Sequence, residues 1–171
     1  MHVTVRPAAV ADLDTVVALR LALLRTAGRN PLYERLRPDA TRQARRLFRA
    51  QLEAKDEVVF LAERTRAAAG AGSARGIAPE VVGIIRCVES WGSPLLDPPR
   101  YGYVSSAYVV PRARRSGVLR ALVAEVRAWC RERGLPEMRL HCAVESRVGN
   151  AAWDALGFNV VEHVRRRPID S

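Results

Sequence analysis

The chain has 171 residues, 49% hydrophobic and 27% charged, a balance that suits one globular domain, or at most two small ones, and excludes a disordered tail or a collagen-like repeat. Lys and Arg number 28 against 18 Asp and Glu, a formal charge of +10, enough to attract nucleic acid, anionic lipid or phosphorylated ligands. Lys55 is the only lysine, however, and a surplus of Arg, Ala, Val and Leu is also what biased codon usage leaves on a solvated surface.

Residues 3–5 read as a short strand ended by Pro7. Asp12 then stands as an N-cap before Leu13, Val16, Val17, Leu21 and Leu24, which recur at helical spacing until Gly28. After a loop holding Pro31 and Pro38, residues 41–55 place Ala44, Leu47, Phe48, Gln51 and Leu52 on one stripe of a second, strongly basic helix. Residues 58–62 and 81–88 are β-type runs able to form a hairpin. The stretch between them, a mobile insertion over residues 65–80, is mostly Ala, Gly, Ser and Arg, with too little apolar bulk to anchor itself. A Pro-rich connection over 91–100 leads to a strand at 102–110. Then follow a helix from Ser116 with Leu119, Leu122, Val123, Val126, Trp129 and Cys130 inward, a strand at 138–142, a short helix ending at Leu156 with Gly157 behind it, and a last strand at 158–164. This is a mixed α/β domain.

Cys87, Cys130 and Cys142 are odd in number and far apart, so the spacing suggests reduced, mostly buried thiols and neither a disulfide framework nor a metal site. The first residues hold no apolar stretch of signal-peptide length and no window reaches the roughly 20 apolar residues of a membrane span. A cytoplasmic protein with no membrane partner is expected.

The chemistry concentrates after the strand that ends at Pro111. Arg114-Arg115-Ser116-Gly117 carries the chain through a Gly-bearing turn into a helix N-terminus, where unpaired N–H groups and the helix dipole favour phosphate. Arg114 and Arg115 add charge-assisted donors suited to a diphosphate. The stretch is neither a Walker loop nor a Rossmann fingerprint, and Ser116 and Gly117 also fit a plain cap and turn.

Wider motifs sharpen that choice. Ala107 to Pro111 followed by Arg114-Arg115-Ser116-Gly117-Val118-Leu119 resembles the pyrophosphate loop of the GNAT N-acyltransferase superfamily, with Leu119 in place of a small residue. Leu140-His141-Cys142 falls on that family's next strand, and Trp153-Asp154-Ala155-Leu156-Gly157-Phe158 on its Y-x-x-L-G-F ending; Val5 to Ala8 and Ala11 to Asp14 resemble its start. The resemblance implies a single GNAT-like acyltransferase domain over residues 1–171, of α/β (α+β) class, with a mixed, mostly antiparallel central sheet and helices on both faces. It further implies acetyl-CoA as cosubstrate, held by backbone at Val109 and Val110, by Arg114, by the N–H groups of Arg115, Ser116, Gly117, Val118 and Leu119, and beside Asn150 and Trp153. Asn150 fits a helix cap as well as a cofactor contact.

The reaction implied is direct acetyl transfer from acetyl-CoA to a primary amine of a small molecule or peptide in a ternary complex. Ser105 and Ser106 occupy strand positions that often carry a carboxylate base, and Trp153 occupies that of a Tyr proton donor. Proton removal then falls to Glu145, His141 or Tyr108, each of which also reads as a loop, surface or packing residue. The resemblance implies that residues 24–55 and 91–100 set the acceptor, and the first of these is rich in arginine (Arg25, Arg29, Arg35, Arg37, Arg42, Arg45, Arg46, Arg49). If these line the pocket they favour an acceptor carrying carboxylate or phosphate over a polycation; otherwise they are a solvated helix face. An acyl-CoA-binding sensor or partner module without turnover and a basic nucleic-acid-binding protein remain the alternatives, nucleic acid being the less favoured partner. A homodimer is left open.

Overall fold

The computed structural model describes residues 2–27, 30–65 and 79–169. The insertion expected at 65–80 falls almost wholly outside these residues. The chain divides into two compact units, one running to His141 and one from Cys142 onward, and each is taken by itself.

The first unit is a five-stranded sheet in the order β1 (Val3–Pro7), β2 (Glu57–Arg64), β3 (Glu80–Trp91), β4 (Arg100–Val109) and β5 (Met138–Leu140). Its neighbours are antiparallel except β4 and β5, which are parallel. The β2–β3 hairpin read from the sequence forms, with Val58 opposite Cys87. Among the described residues three α-helices complete the unit: α1 (Leu13–Thr26), α2 (Ala40–Glu53) and α3 (Val118–Glu132).

The helices take opposite faces of the sheet, and the strand period shows which. Gly83 of β3 meets α3, because a Cβ there would lie 3.0 Å from Val118 Cγ1 and 3.1 Å from Leu122 Cδ1. Ile84, one residue on, joins Leu13, Val16, Val17 and Phe48 in the core beneath α1 and α2. On α3, Val118, Leu122, Val126 and Cys130 recur at helical spacing and are buried; complete burial of a side chain such as Leu122 stabilises by about 1.5–3 kcal/mol. Cys87 and Cys130 remain free thiols in this layer, their sulfurs 3.9 Å apart.

The second unit contains α4 (Arg147–Asp154). The strand expected at residues 158–164 does not form. Val160, Val161 and Val164 are exposed, Val161 to 90%, and no ladder partner meets this stretch among the described residues. A β-type composition becomes a strand only where a neighbouring edge accepts its N–H and C=O groups. No helix among the described residues is long and apolar enough to cross a membrane.

Candidate functional site

β4 and β5 pair only from Gly102–Met138 to Val104–Leu140, so β4 runs on past its neighbour. Just beyond the last pair the β3–β4 register slips: Arg86 faces Ser105, while Ile84 faces Tyr108. The extra residue on β4 is a bulge. Ser106 sits in it at φ 55 and only 7% exposed, a left-handed conformation that costs a non-glycine residue about 1–3 kcal/mol and persists only where its surroundings impose it.

Beyond the bulge the ladder shows which backbone groups are free to meet a ligand. Val110 N–H donates to the Val82 carbonyl (3.0 Å), and the Val110 carbonyl accepts from Ala113 N–H (2.9 Å). Alternation in an antiparallel pair then turns both the N–H and the C=O of Val109 outward, away from β3. Of the two expected contacts, Val109 therefore offers the outer edge, and Val110 is engaged within the protein. Arg114 Nε donates to the Val109 carbonyl (3.1 Å), and its guanidinium carbon lies 5.9 Å from the centre of the Tyr108 ring.

The chain then makes a short 3₁₀ turn (Pro111–Ala113) and enters α3 through two left-handed residues, Arg115 at φ 60 and Gly117 at φ 82. Ser116 Oγ donates to the Ala113 carbonyl (2.7 Å) and so closes the turn from inside. The helix N-terminus that follows adds its own unpaired N–H donors. Nothing lies within 4 Å of a Cβ placed on Gly117, so the backbone there is open to close approach. Val118 turns into the core and Leu119 is half-buried; Arg114, Arg115, Ser116 and Gly117 remain exposed.

The face of the sheet beneath α1 and α2 carries a polar group that the sequence reading did not assemble. Arg86 is ion-paired with Glu57 and donates to Ser105 Oγ (3.2 Å). The Gln51 side-chain oxygen, with the amide turned to satisfy both partners, accepts from Arg86 Nε (3.2 Å) and Nη2 (3.1 Å). Burial pushes the Glu57 carboxyl upward, opposed by the Arg86 charge. Two residues before Ser105, Tyr103 places its hydroxyl 3.0 Å from Nδ1 of His141, which follows β5 and is exposed. Burial holds the Tyr103 phenol above its ordinary range, so it is neutral at pH 7. Tyr108 is 8% exposed and belongs to the core with Ile84 and Val16. Its ring is committed to packing.

Arg20 was also missed. It stands three residues after Val17 and four after Val16, on the inner stripe of α1, and is half-buried. That break in an apolar stripe was its signal. The arginines that were singled out, Arg25, Arg35, Arg37, Arg42, Arg45, Arg46 and Arg49, are exposed, and Arg29 lies outside the described residues. Arg37 and Arg42 pair with Asp39, and Arg45 with Asp14. They form a solvated face.

In the second unit, Asn150 Nδ2 donates to the carbonyls of Ala143 (3.0 Å), Ser146 (3.0 Å) and Val144 (3.3 Å), so its amide ties the loop that precedes α4. Glu145 is exposed in that loop. Trp153 is half-buried and meets the edge of Phe158 with ring centres 5.2 Å apart. Burial raises the Cys142 thiol, while a hydrogen bond with Trp153 acts the other way. Gly157, at φ 85, turns the chain out of the helix as expected.

A strand that outruns a parallel neighbour, a bulge at the point of separation, and two left-handed residues leading into the next helix agree with the motifs read from the sequence. Residues 29–158 match the family model described as Acetyltransferase (GNAT) family, and the chain belongs to that family. Over 62 residues, 36% of this chain and 42% of the relative, it is 37% identical to an aminoglycoside N(6')-acetyltransferase type 1 of Acinetobacter genomosp. 13; the chain thus spans about two fifths of that curated relative's length. A predicted acetyltransferase with acetyl-CoA from Clostridium acetobutylicum superposes with a TM-score of 0.75 at 16% identity, covering 98% of this chain and 97% of its own. The aminoglycoside antibiotic 6'-N-acetyltransferase AAC(6')-Ih from Acinetobacter baumannii does so with a TM-score of 0.74 at 18% identity, covering 99% of each chain. At such identities the structural likeness speaks for the fold.

Proposed function

We propose that the chain is an acetyl-CoA-dependent N-acetyltransferase that moves an acetyl group to a primary amine of a small molecule by direct attack, with both substrates bound together. The observation that carries this reading is the junction of β4 and α3, where the outward backbone of Val109 leads into the left-handed Arg115 and Gly117. The fit is chemical: an outward N–H suits an amide-bearing chain, and a turn of N–H groups with open space over Gly117 suits a diphosphate. Val109 and the amides of Arg115 to Leu119 would hold acetyl-CoA, with Arg114 and Arg115 beside them.

Bound acetyl-CoA supplies a thioester whose thiolate leaves readily, since a thiol has a pKa of about 8.5. The chain's own task is the proton. An amine of pKa about 10.4 is protonated roughly a thousandfold over at pH 7, so a group must take a proton for the nitrogen to attack. Tyr103 and His141 form that route in this reading. The Tyr103 oxygen takes the amine's proton as its own passes to Nδ1 of His141, and exposed His141 returns it to solvent. With Tyr103 in this role, neither Glu145 nor Tyr108 is required as a base.

The relatives are named for aminoglycoside acceptors, and the coarser class, a small molecule with a primary amine, is proposed for this chain. A second reading, an acyl-CoA-binding module without turnover, draws on Ser105, which brings a hydroxyl already held by Arg86 to a position where a carboxylate base was sought. Thiol release from acetyl-CoA across a panel of primary amines separates the two. Amine-dependent release supports the enzyme, binding without release supports the module, and neither binding nor release removes both.

A further inference from the structure

Among the described residues Arg20 is a charge without a counter-ion. It projects from the inner stripe of α1, which packs on β3 and β4, and its electrostatic neighbours are Tyr33, Arg86 and Tyr103. Burial raises the Tyr103 phenol, so it supplies no counter-charge at pH 7. The carboxylate on this face, Glu57, is bound to Arg86. Among the described residues Arg20 has no hydrogen-bond or ion-pair partner. No buried side-chain nitrogen among them lacks a partner, so the Arg20 nitrogens keep access to solvent while the stem is covered. Burial and the Arg86 charge both disfavour the charged form, burial being the larger effect. A guanidinium so placed carries a desolvation cost that nothing within the fold offsets, whereas a bidentate oxyanion would offset it. The neighbourhood also holds the Tyr103 hydroxyl, the group assigned to the acceptor's amine.

We propose that Arg20 binds an anionic group of the acceptor, a carboxylate or a phosphate, so that this chain selects amines carrying an oxyanion and disfavours the polycationic acceptors for which its relatives are named. The inference rests on the acetyltransferase reading and deepens it by naming the acceptor class. With Arg86 neutralised by Glu57, the unpaired Arg20 repels additional positive charge on an acceptor while attracting an oxyanion. The sequence's exposed arginines, screened and partly paired, do not contribute to this selection.

The test uses the full chain, its Arg20→Met and Arg20→Lys variants, and four probes: β-alanine, 2-aminoethyl phosphate, neutral β-alaninamide and kanamycin. Thiol release from acetyl-CoA is read as kcat/KM. For the wild type the better of the two anionic probes is expected to exceed both β-alaninamide and kanamycin by about tenfold or more; which one wins tells carboxylate from phosphate. In Arg20→Met that ratio falls to about threefold or less, mainly through KM, and Arg20→Lys recovers part of it. A second readout is independent of turnover. With CoA saturating, so that the proposed diphosphate turn is filled, succinate or inorganic phosphate raises the melting temperature of the wild type above an equal-ionic-strength chloride control, and Arg20→Met loses the rise. Preference for kanamycin, equal rates for charged and neutral probes, or an anion effect that survives Arg20→Met overturns the inference. If acetyl-CoA still raises the melting temperature in that case, the acetyltransferase reading stands and only the acceptor class fails; if acetyl-CoA has no effect, both fall.

Discussion

The hydroxyl of Tyr103 and Nδ1 of His141 lie 3.0 Å apart and tie β4 to the residue after β5 at the place where the two strands part. If this pair carries the amine's proton, His141→Gln lowers kcat by at least about tenfold, general-base assistance being typically worth 10²–10⁴-fold. Tyr103→Phe lowers it as well, because the phenol is the link to the amine. The melting-temperature rise given by acetyl-CoA stays near its wild-type value in both. Unchanged kcat in both variants transfers proton removal to bound water.

Arg6 and Asp12 supply a pH-dependent term. Arg6 donates to both Asp12 oxygens (2.8 and 2.9 Å) and, through Nε, to Glu63 (2.8 Å). The Arg6 guanidinium, with the Ala9 N–H as a smaller influence, holds the Asp12 carboxyl below its ordinary range. A carboxyl lowered on folding stabilises at pH values above its unfolded pKa, about 3.9, and that stability is lost as pH falls through the folded value. Asp12→Asn therefore costs about 1 kcal/mol at pH 7, limited by the partial exposure of Arg6. The difference from wild type shrinks steadily in urea titrations below pH 4. A constant difference at all pH values would mean packing, not charge, holds Asp12.

At Gly102 β4 passes close against α3. A Cβ there would lie 2.6 Å from Cys130 Sγ and 3.1 Å from Cys87 Sγ, both sulfurs being buried. Gly102→Ala should destabilise by about 1–3 kcal/mol through overpacking. Combining it with Cys130→Ala should cost less than the two changes summed, because the second removes the obstructing atom. Additive costs in urea denaturation would contradict this packing.

The elements were legible where periodicity and turn chemistry acted locally. The stripe on α3, the hairpin of β2 and β3 and the left-handed Gly117 each follow from neighbouring residues. The part of the proposed site that local sequence pattern points to runs from Val109 to Leu119. Tyr103 was overlooked because its significance lies in the β4–β5 register, which brings Arg139 opposite it and His141 within reach, and no local pattern encodes that register. Arg20 is marked in the sequence as a charge among Val16, Val17 and Leu21, whereas the density of arginines points to the exposed ones. The strand expected at residues 158–164 failed for the converse reason: its composition was right and its partner was not in the sequence pattern.

Acetyl-CoA binding at the β4–α3 junction is tested most directly at Gly117. Its φ of 82 suits glycine, and the space above it is open. Gly117→Ala keeps most of the binding at a backbone cost of about 1–2 kcal/mol, whereas Gly117→Glu puts a carboxylate where the diphosphate is proposed to lie. The measurement is the stability of wild type and Gly117→Glu with and without acetyl-CoA. At a hundred times Kd the wild type should gain about 2.7 kcal/mol and Gly117→Glu almost nothing. Equal gains in the two proteins, or no gain in the wild type, would contradict the site.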